Sequence, residues 1–381
     1  MRKSVIVKKT SRMENKNPMK LKMQGFRDFF FIRKLGLALS SYGNINWNAG
    51  WIVGKTKNIY LSLHMRPKYS KDVKSKSSYN IKKNEFAVII QGPAIDHFDF
   101  LNETVKLYSK IFEGAEIIVS TWANLGSAMV NKLQDSGATV LLSELPEDDG
   151  YAPRYKSMDY QTLSTTTALE YANKKGIKYA LKTRVDWRIY KPNSFAYLKS
   201  ILKTFPARTD NNLQKGRLVV TSLFTYKYRI YGLTDTMMFG YIEDMIKFWS
   251  TETYKDGMRR LGLGDYPVMI NGACVVVDTF FVARYLSCIG VKAEWTLDHW
   301  WKSLRDHFCV IDADSLDIME TKYDARYEKR LYRSYTTEAS RCIEFSDWLA
   351  LYSGIDINWD SLNVKETWKI ENNDFVKVRT L

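Results

Sequence analysis

Between Phe86 and Asp186 the chain repeats one pattern: a short apolar run, a turn or stop, then a stretch of helical period. "FAVIIQGP" is such a run, continuous in apolar residues as a strand covered on both faces requires, and closed by Gly-Pro. "FLNETVKLYSKIF" follows, with Leu101, Val105, Tyr108 and Phe112 on one stripe. "AEIIVSTW" predicts a second strand, "SAMVNKLQDSG" a short helix stopped at Gly137, and "ATVLLSEL" a third strand. After the loop "PEDDGYAPRY", "KSMDYQTLSTTTALEYANKKG" predicts a long helix that buries Tyr160, Leu163, Thr167 and Tyr171. "KYALKTRVD" then predicts a fourth strand. Strands alternating with helices restrict this region to an α/β fold with a doubly wound, mostly parallel sheet. Ligands of such sheets bind at the carboxyl ends of the strands.

The fourth strand carries an unusual end. Lys182, Arg184, Asp186 and Arg188 occupy alternate positions, which puts four charges on one face if the chain stays extended. A lone carboxylate among cations suits a divalent metal, Mg2+ or Mn2+, that carries a diphosphate. Asp186 would hold the hard cation, and Lys182 and Arg184 would offset the phosphate charge. A salt-bridged, solvated edge is the competing account. Gln161 and Ser164, three apart, lie in the N-terminal part of the preceding helix, after Arg154 and Lys156. A helix N-terminus offers free N–H groups and partial positive charge, so Arg154, Gln161 and Ser164 could face the same ligand. Gln161 and Ser164 read equally well as ordinary polar positions.

Charge narrows the partners. With 57 Lys and Arg against 42 Asp and Glu the formal charge is +15, which points to nucleic acid, an acidic membrane surface or a phosphorylated substrate. The first 24 residues hold eight Lys or Arg, one Glu and no apolar core of a signal peptide. "FFFIRKLGLAL" is too short to span a bilayer and is split by Arg33-Lys34. Residues 1–85 therefore read as a basic extension, ending in a Lys-rich stretch from Arg66 to Glu85 with the character of a solvated linker. Residues 86–335 read as the α/β domain, and 336–381 as a helical or irregular tail packing on it. No GxGxxG follows the first strand, and GxxxxGK[ST], HExxH and CxxC are absent, which argues against dinucleotide oxidoreductases, P-loop NTPases and zinc hydrolases. The four cysteines read as reduced core thiols of a cytoplasmic protein.

Further along, "RLVVTSLF" and "DTMMFGY" predict strands, and "IEDMIKFW" and "DTFFVARYLSCIG" predict helices. Asp235 stands at the entry to the second of these strands. Asp278, inside "CVVVDTFFVARYL", is costly unless paired or functional. It reads equally as a helix N-cap and as a site carboxylate that acts as base or holds a hydroxyl. Lys322, Arg326 and Arg330, four apart, make one ridge if helical, either a phosphate ridge or a solvated face paired with Asp324 and Glu328.

In order and spacing, "AVIIQGP", "EIIVSTW", "YKSMDYQTLSTTTALEYA", "ALKTRVDWRIY", "DTMMFGY" and the Asp278 helix resemble the WavE-type lipopolysaccharide-synthesis family, over about residues 86 to 335. The resemblance implies a GT-A-like fold, a nucleotide-binding α/β domain whose usual metal motif is D-x-D. The family's K-x-R-x-D stands in that place and falls on Lys182, Arg184 and Asp186. Its Gln/Ser helix falls on Gln161 and Ser164, and its D-x-x-x-F-G on Asp235, Phe239 and Gly240. Gln91 of "AVIIQGP" joins the donor-binding candidates. Two departures stand out: Arg188 replaces the second aspartate of a D-x-D, and Asp278-Thr279 stands where a Glu-Gln pair is expected.

The resulting expectation is a glycosyltransferase using an activated, nucleotide-type sugar donor. The acceptor would be an oligosaccharide or lipid-linked glycan of lipopolysaccharide core, O-antigen or capsule. Asp186 would hold Mn2+ or Mg2+. Arg154, Lys182, Arg184, Lys322 and Arg326 would meet the diphosphate, and Asp235 or Asp278 the acceptor hydroxyl. No specific nucleic acid is expected as partner. The location would be cytoplasmic, with attachment to the inner face of the plasma membrane as an option. The rival readings are a basic nucleic-acid-binding protein and a non-catalytic scaffold of a polysaccharide-assembly complex.

Overall fold

The computed structural model describes residues 66–94, 99–146, 153–209, 212–227, 229–249, 277–321, 342–355, 367–371 and 374–378, with backbone alone for 153–157, 277–278 and the last two segments. Apart from Arg66, these residues belong to the compact unit Pro67–Leu381. Their elements are β1 (Phe86–Gln91), α1 (Phe100–Ile111), β2 (Glu116–Trp122), α2 (Ser127–Asp135), β3 (Thr139–Ser143), α3 (Pro153–Lys174), β4 (Tyr179–Arg184), β5 (Trp187–Ile189) and α4 (Ser194–Thr204). There follow β6 (Leu218–Thr221), β7 (Met238–Tyr241), α5 (Ile242–Phe248), α6 (Val277–Cys288), α7 (Leu297–His307), β8 (Phe308–Ile311), β9 (Ile318–Glu320), α8 (Phe345–Ser353), β10 (Thr367–Glu371) and β11 (Asp374–Val378).

Seven strands form the central sheet in the order β3-β2-β1-β4-β7-β6-β8. Every pairing is parallel except those of β7, which runs against both β4 and β6. The doubly wound, mostly parallel sheet read from the sequence is thus the fold of the chain. Its central strands are apolar over most of their length because both faces are covered. One face presents Phe86, Tyr179 and Phe239. Phe86 stacks on Phe195 of α4 at 4.2 Å between ring centres and meets Phe112, just after α1, edge-on at 5.6 Å. The other face lies under α3, which runs opposite to β2: Tyr160 meets Trp122 and Tyr171 reaches Glu116.

Three expectations need correction. The buried side of α3 is Met158, Thr162, Thr165, Ala168, Leu169 and Ala172, not the stripe of Tyr160, Leu163, Thr167 and Tyr171, which is half-buried. Small side chains let a helix lie close to a sheet, and the tyrosines reach along its flanks. The helix also starts at Pro153, inside the expected loop, and Pro suits a first helical turn. Third, the Lys-rich stretch before β1 is not solvated throughout. Val73 and Ile81 are buried, and Ser70 gives its N–H and hydroxyl to Glu103 at 2.7 and 2.9 Å. Lys199 pairs with Glu85 at 2.6 Å. Two apolar residues and two acidic partners suffice to hold a lysine-rich strand of chain on the body.

The far edge of the sheet is covered by α8. Trp348 is fully buried there, and its Nε1–H donates to the Leu304 and Phe308 carbonyls. Glycine is needed within β7. A Cβ on Gly240 would sit 2.8 Å from the Leu218 side chain, and Leu218 is fully buried.

Candidate functional site

The carboxyl end of β4 is where the expected charge alternation breaks. β4 stops at Arg184, Val185 and Asp186 form a turn, and β5 leaves the central sheet to pair with β9. The backbone causes this. Val185 donates its N–H to Gln91 as the last rung of β1–β4 (3.1 Å) and fills the space beside Gly92. Gly92 has φ of +131°, and a Cβ there would lie 3.2 Å from Val185 Cγ2. Past this turn the chain enters a different ribbon, so the four charges do not share a face.

Each charge has its own surroundings. Lys182 is completely buried, donates to the Asp235 carbonyl and lies 4.5 Å from the centre of the Trp249 ring. Arg184 grips Asp186 through two parallel hydrogen bonds, Nε to Oδ1 at 2.9 Å and Nη2 to Oδ2 at 2.7 Å. This pair is half-buried, with 20% and 16% of the side chains exposed. Arg188 is turned away and buried. It donates to Thr104 Oγ1 (2.9 Å), the Lys68 and Phe100 carbonyls (2.8 and 2.7 Å) and the Tyr190 hydroxyl (3.1 Å). A buried guanidinium is tolerated only when its N–H groups find acceptors, and here three segments supply four of them.

Because β7 runs against β4, its beginning, not its end, lies at this edge: Met238 stands opposite Lys182. That places Asp235 beside Lys182. The Asp235 carboxylate is half-buried and makes no hydrogen bond or ion pair among the described residues, while the flanking Thr234 and Thr236 hydroxyls bond each other at 2.7 Å. Gln91 stands opposite Arg184 in the β1–β4 register and is buried. The structure thus gathers Gln91, Lys182, Arg184, Asp186 and Asp235 at one strand edge.

The helix candidates divide. The Ser164 hydroxyl donates to Tyr160 of its own helix at 2.6 Å, and its carbonyl accepts from Ser120 Oγ at 2.6 Å, so Ser164 docks α3 on β2. Among the described residues, Gln161 Oε1 is buried without a hydrogen-bond partner, as are the Thr162 and Thr165 hydroxyls and Trp249 Nε1. Gln161 and Thr162 lie in the half of α3 nearer the carboxyl ends of the strands, Thr165 just past its middle, and Trp249 beside Lys182. A buried polar atom left unpaired costs about 1–3 kcal/mol, so the cluster is suited to a polar ligand or water. Thr162, Thr165 and Trp249 were not among the candidates read from the sequence. Scattered threonines in a helix and a Trp closing another carry no local signal of a site. Arg154 lies on the first turn of α3 and Asp278 on the first turn of α6, but neither side chain is described. Lys322 and Arg326 lie outside the described residues. Thr321, just before them, donates its N–H to the Asp186 carbonyl at 3.0 Å.

The donor set bears on a metal. Asp186 has both oxygens engaged by Arg184, and Glu320, opposite Trp187 in the β5–β9 pair, buries a further carboxylate nearby. No group of three His, Cys, Asp or Glu clusters among the described residues. A hard divalent cation takes six or more oxygen ligands, and the arrangement around Asp186 does not fit one as it stands.

A comparison with curated proteins returned no match. Among solved structures, the chain is similar to mouse xyloside xylosyltransferase 1 in its apo form, at 9% identity over 69% of this chain and 95% of that one, with a TM-score of 0.31. It is similar to the mannosyltransferase PcManGT from Pyrobaculum calidifontis in complex with GDP-Man and Mn2+, at 10% identity over 86% and 98% of the two chains, with a TM-score of 0.28. It also resembles a crystal structure described as a UDP-N-acetylglucosamine pyrophosphorylase from Entamoeba histolytica, at 12% identity and a TM-score of 0.25, covering 43% of this chain and 60% of that one. The family model for WavE lipopolysaccharide synthesis matches residues 86–285, more than half of the 381-residue chain and the stretch that supplies this strand edge. The chain belongs to the WavE lipopolysaccharide synthesis family.

Proposed function

We propose that this chain is a GT-A-like glycosyltransferase that moves a sugar from a nucleotide sugar to a growing bacterial surface glycan. The observation that carries the reading is the placing of the half-buried Arg184–Asp186 pair and of the Asp235 carboxylate, which has no partner among the described residues, at the carboxyl end of β4, inside the region matched by the family. The acceptor hydroxyl attacks the anomeric carbon, and the bond from that carbon to the donor's diphosphate breaks. Asp235 takes the hydroxyl proton, and the negative charge gathering on the departing diphosphate is met by Arg184. Lys182, with its ammonium on the Asp235 carbonyl, holds the loop that carries the base. Gln161, Thr162 and Thr165 offer polar atoms to the donor.

The site would face the cytoplasm, where nucleotide sugars are made, and the basic residues 1–85 would hold it near anionic lipid. No helix among the described residues is long and apolar enough to cross a membrane. The direct experiment measures binding and turnover of a nucleotide-sugar panel by the full chain, together with surface-glycan assembly in cells carrying Asp235→Asn. Turnover of one donor and loss of the glycan support the reading. If no donor is bound or consumed and the variant assembles glycan normally, the reading fails.

A further inference from the structure

We infer that Arg184 takes the place of a metal ion in this site: the donor's diphosphate displaces Asp186 from the guanidinium and binds there without a divalent cation. The inference rests on the glycosyltransferase reading and assigns how its donor is held.

Three observations lead here. The first is the geometry of the pair. A carboxylate held at 2.9 and 2.7 Å by Nε and Nη2 is a planar, two-pronged contact, and a phosphate presents two oxygens with nearly the same spacing. An arriving diphosphate can therefore replace the carboxylate while the arginine keeps its position. The two residues are separated only by Val185, so the exchange needs no long segment to move.

The second concerns position 188. A D-x-D motif would put its second carboxylate there. The turn at Val185–Asp186 sends that side chain away from the strand edge, into a buried nest made by Thr104, Phe100, Lys68 and Tyr190. Even a carboxylate at 188 would point into that nest, not at Asp186. The shape of the turn, and not only the identity of residue 188, removes the second metal ligand.

The third is location. Arg184 is the last residue of β4, in register with Gln91 at the end of β1. The unpaired polar atoms of Gln161, Thr162 and Thr165 lie on the helix that covers this face. A diphosphate on Arg184 would sit at the sheet edge where α/β folds take their ligands. Until then Asp186 keeps the fork oriented and its charge compensated, so the cation is ready without a counter-ion from solution.

The experiment uses the full-length protein and three probes, UDP, GDP and ADP, titrated by calorimetry once in EDTA and once in Mn2+. At least one probe should bind in EDTA, and Mn2+ should change its Kd by less than about threefold. Arg184→Met should weaken binding at least about tenfold in both conditions. Asp186→Asn should leave binding intact or tighten it, because it frees the guanidinium. That outcome cannot arise from misfolding, which only weakens binding. Binding that appears only with Mn2+ and disappears in Asp186→Asn would overturn this inference and leave the glycosyltransferase reading standing. An unchanged Kd in Arg184→Met would overturn it equally. Failure of all three probes in both conditions would remove the donor-site reading and this inference with it.

Discussion

The Lys182 ammonium lies 4.5 Å from the centre of the Trp249 indole, fully buried, and donates to the carbonyl of Asp235. One side chain thus ties the end of β4 to the chain after α5 and to the loop that enters β7. A lysine that meets phosphate would need access to it. This one has spent its reach on a carbonyl and an aromatic face. Lys182→Met should therefore lower kcat by about tenfold or more while the donor KM changes by less than about twofold, the pattern of a misplaced base. Steady-state kinetics with a turned-over nucleotide sugar decide this. A large rise in donor KM at unchanged kcat would make Lys182 a donor ligand instead.

Arg188 helps to anchor the chain before β1 to α1 and β5. Arg188→Met should destabilise the fold by about 2–4 kcal/mol, because the Phe100 and Lys68 carbonyls and the Thr104 hydroxyl lose their donor in a buried place. Arg188→Lys should recover little of this, since one ammonium cannot copy a fork that reaches several acceptors. Urea titration followed by tryptophan fluorescence measures both.

Stability should fall in mild acid partly through His307. It is buried, its Nδ1 lies 2.8 Å from Gln214 Oε1, and burial lowers its pKa to about 4. The unfolded chain takes up that proton near pH 6.5, whereas the fold refuses it until about 4. The contribution is whole above pH 6.5 and is lost progressively as pH falls toward 4, by up to about 3 kcal/mol. His299 is shifted down by burial in the same direction, so some slope will remain without His307. His307→Gln should flatten the fall in melting temperature between pH 7 and 5 relative to the wild type. Equal slopes would contradict the assignment.

Gly92→Ala should cost about 1–3 kcal/mol, since φ of +131° strains any other residue and the new methyl would press on Val185. Val185 opens the turn that presents Asp186, so catalysis should drop further than the loss of folded protein explains. Activity per folded molecule, with the folded fraction taken from circular dichroism, separates the two effects.

The strands β1 to β4 and the helices between them were legible because their signals are local: unbroken apolar runs, and Gly or Pro at the stops. The site was half-legible. Arg184 closes β4 at the edge the sequence pointed to, but the alternation that singled out Asp186 ended at a turn, where Val185 packs against Gly92 just past the neighbouring strand β1. The burial of Lys182 and Arg188 was hidden for a related reason. Their acceptors, Asp235 and Phe100, lie 53 and 88 residues away in the chain. The reversed direction of β7 was equally out of reach, since "MFGY" reads the same whichever way it pairs. Thr162 and Thr165 were passed over because a buried face of small polar residues has no hydropathic stripe.

Gly240 stands opposite Ala180 and passes over Leu218, toward the edge of the sheet away from the ligand. Sliding β7 by one residue would bring Phe239 or Tyr241 over Leu218, where even a methyl crowds it. The sheet therefore accepts one alignment of this strand, and Asp235, five residues upstream, inherits it. The missing side chain at position 240 works as a ruler for the site. Changes that retune which acceptor is used belong in the loops above the sheet, because any change at this distant glycine would shift the scale on which all of them are measured.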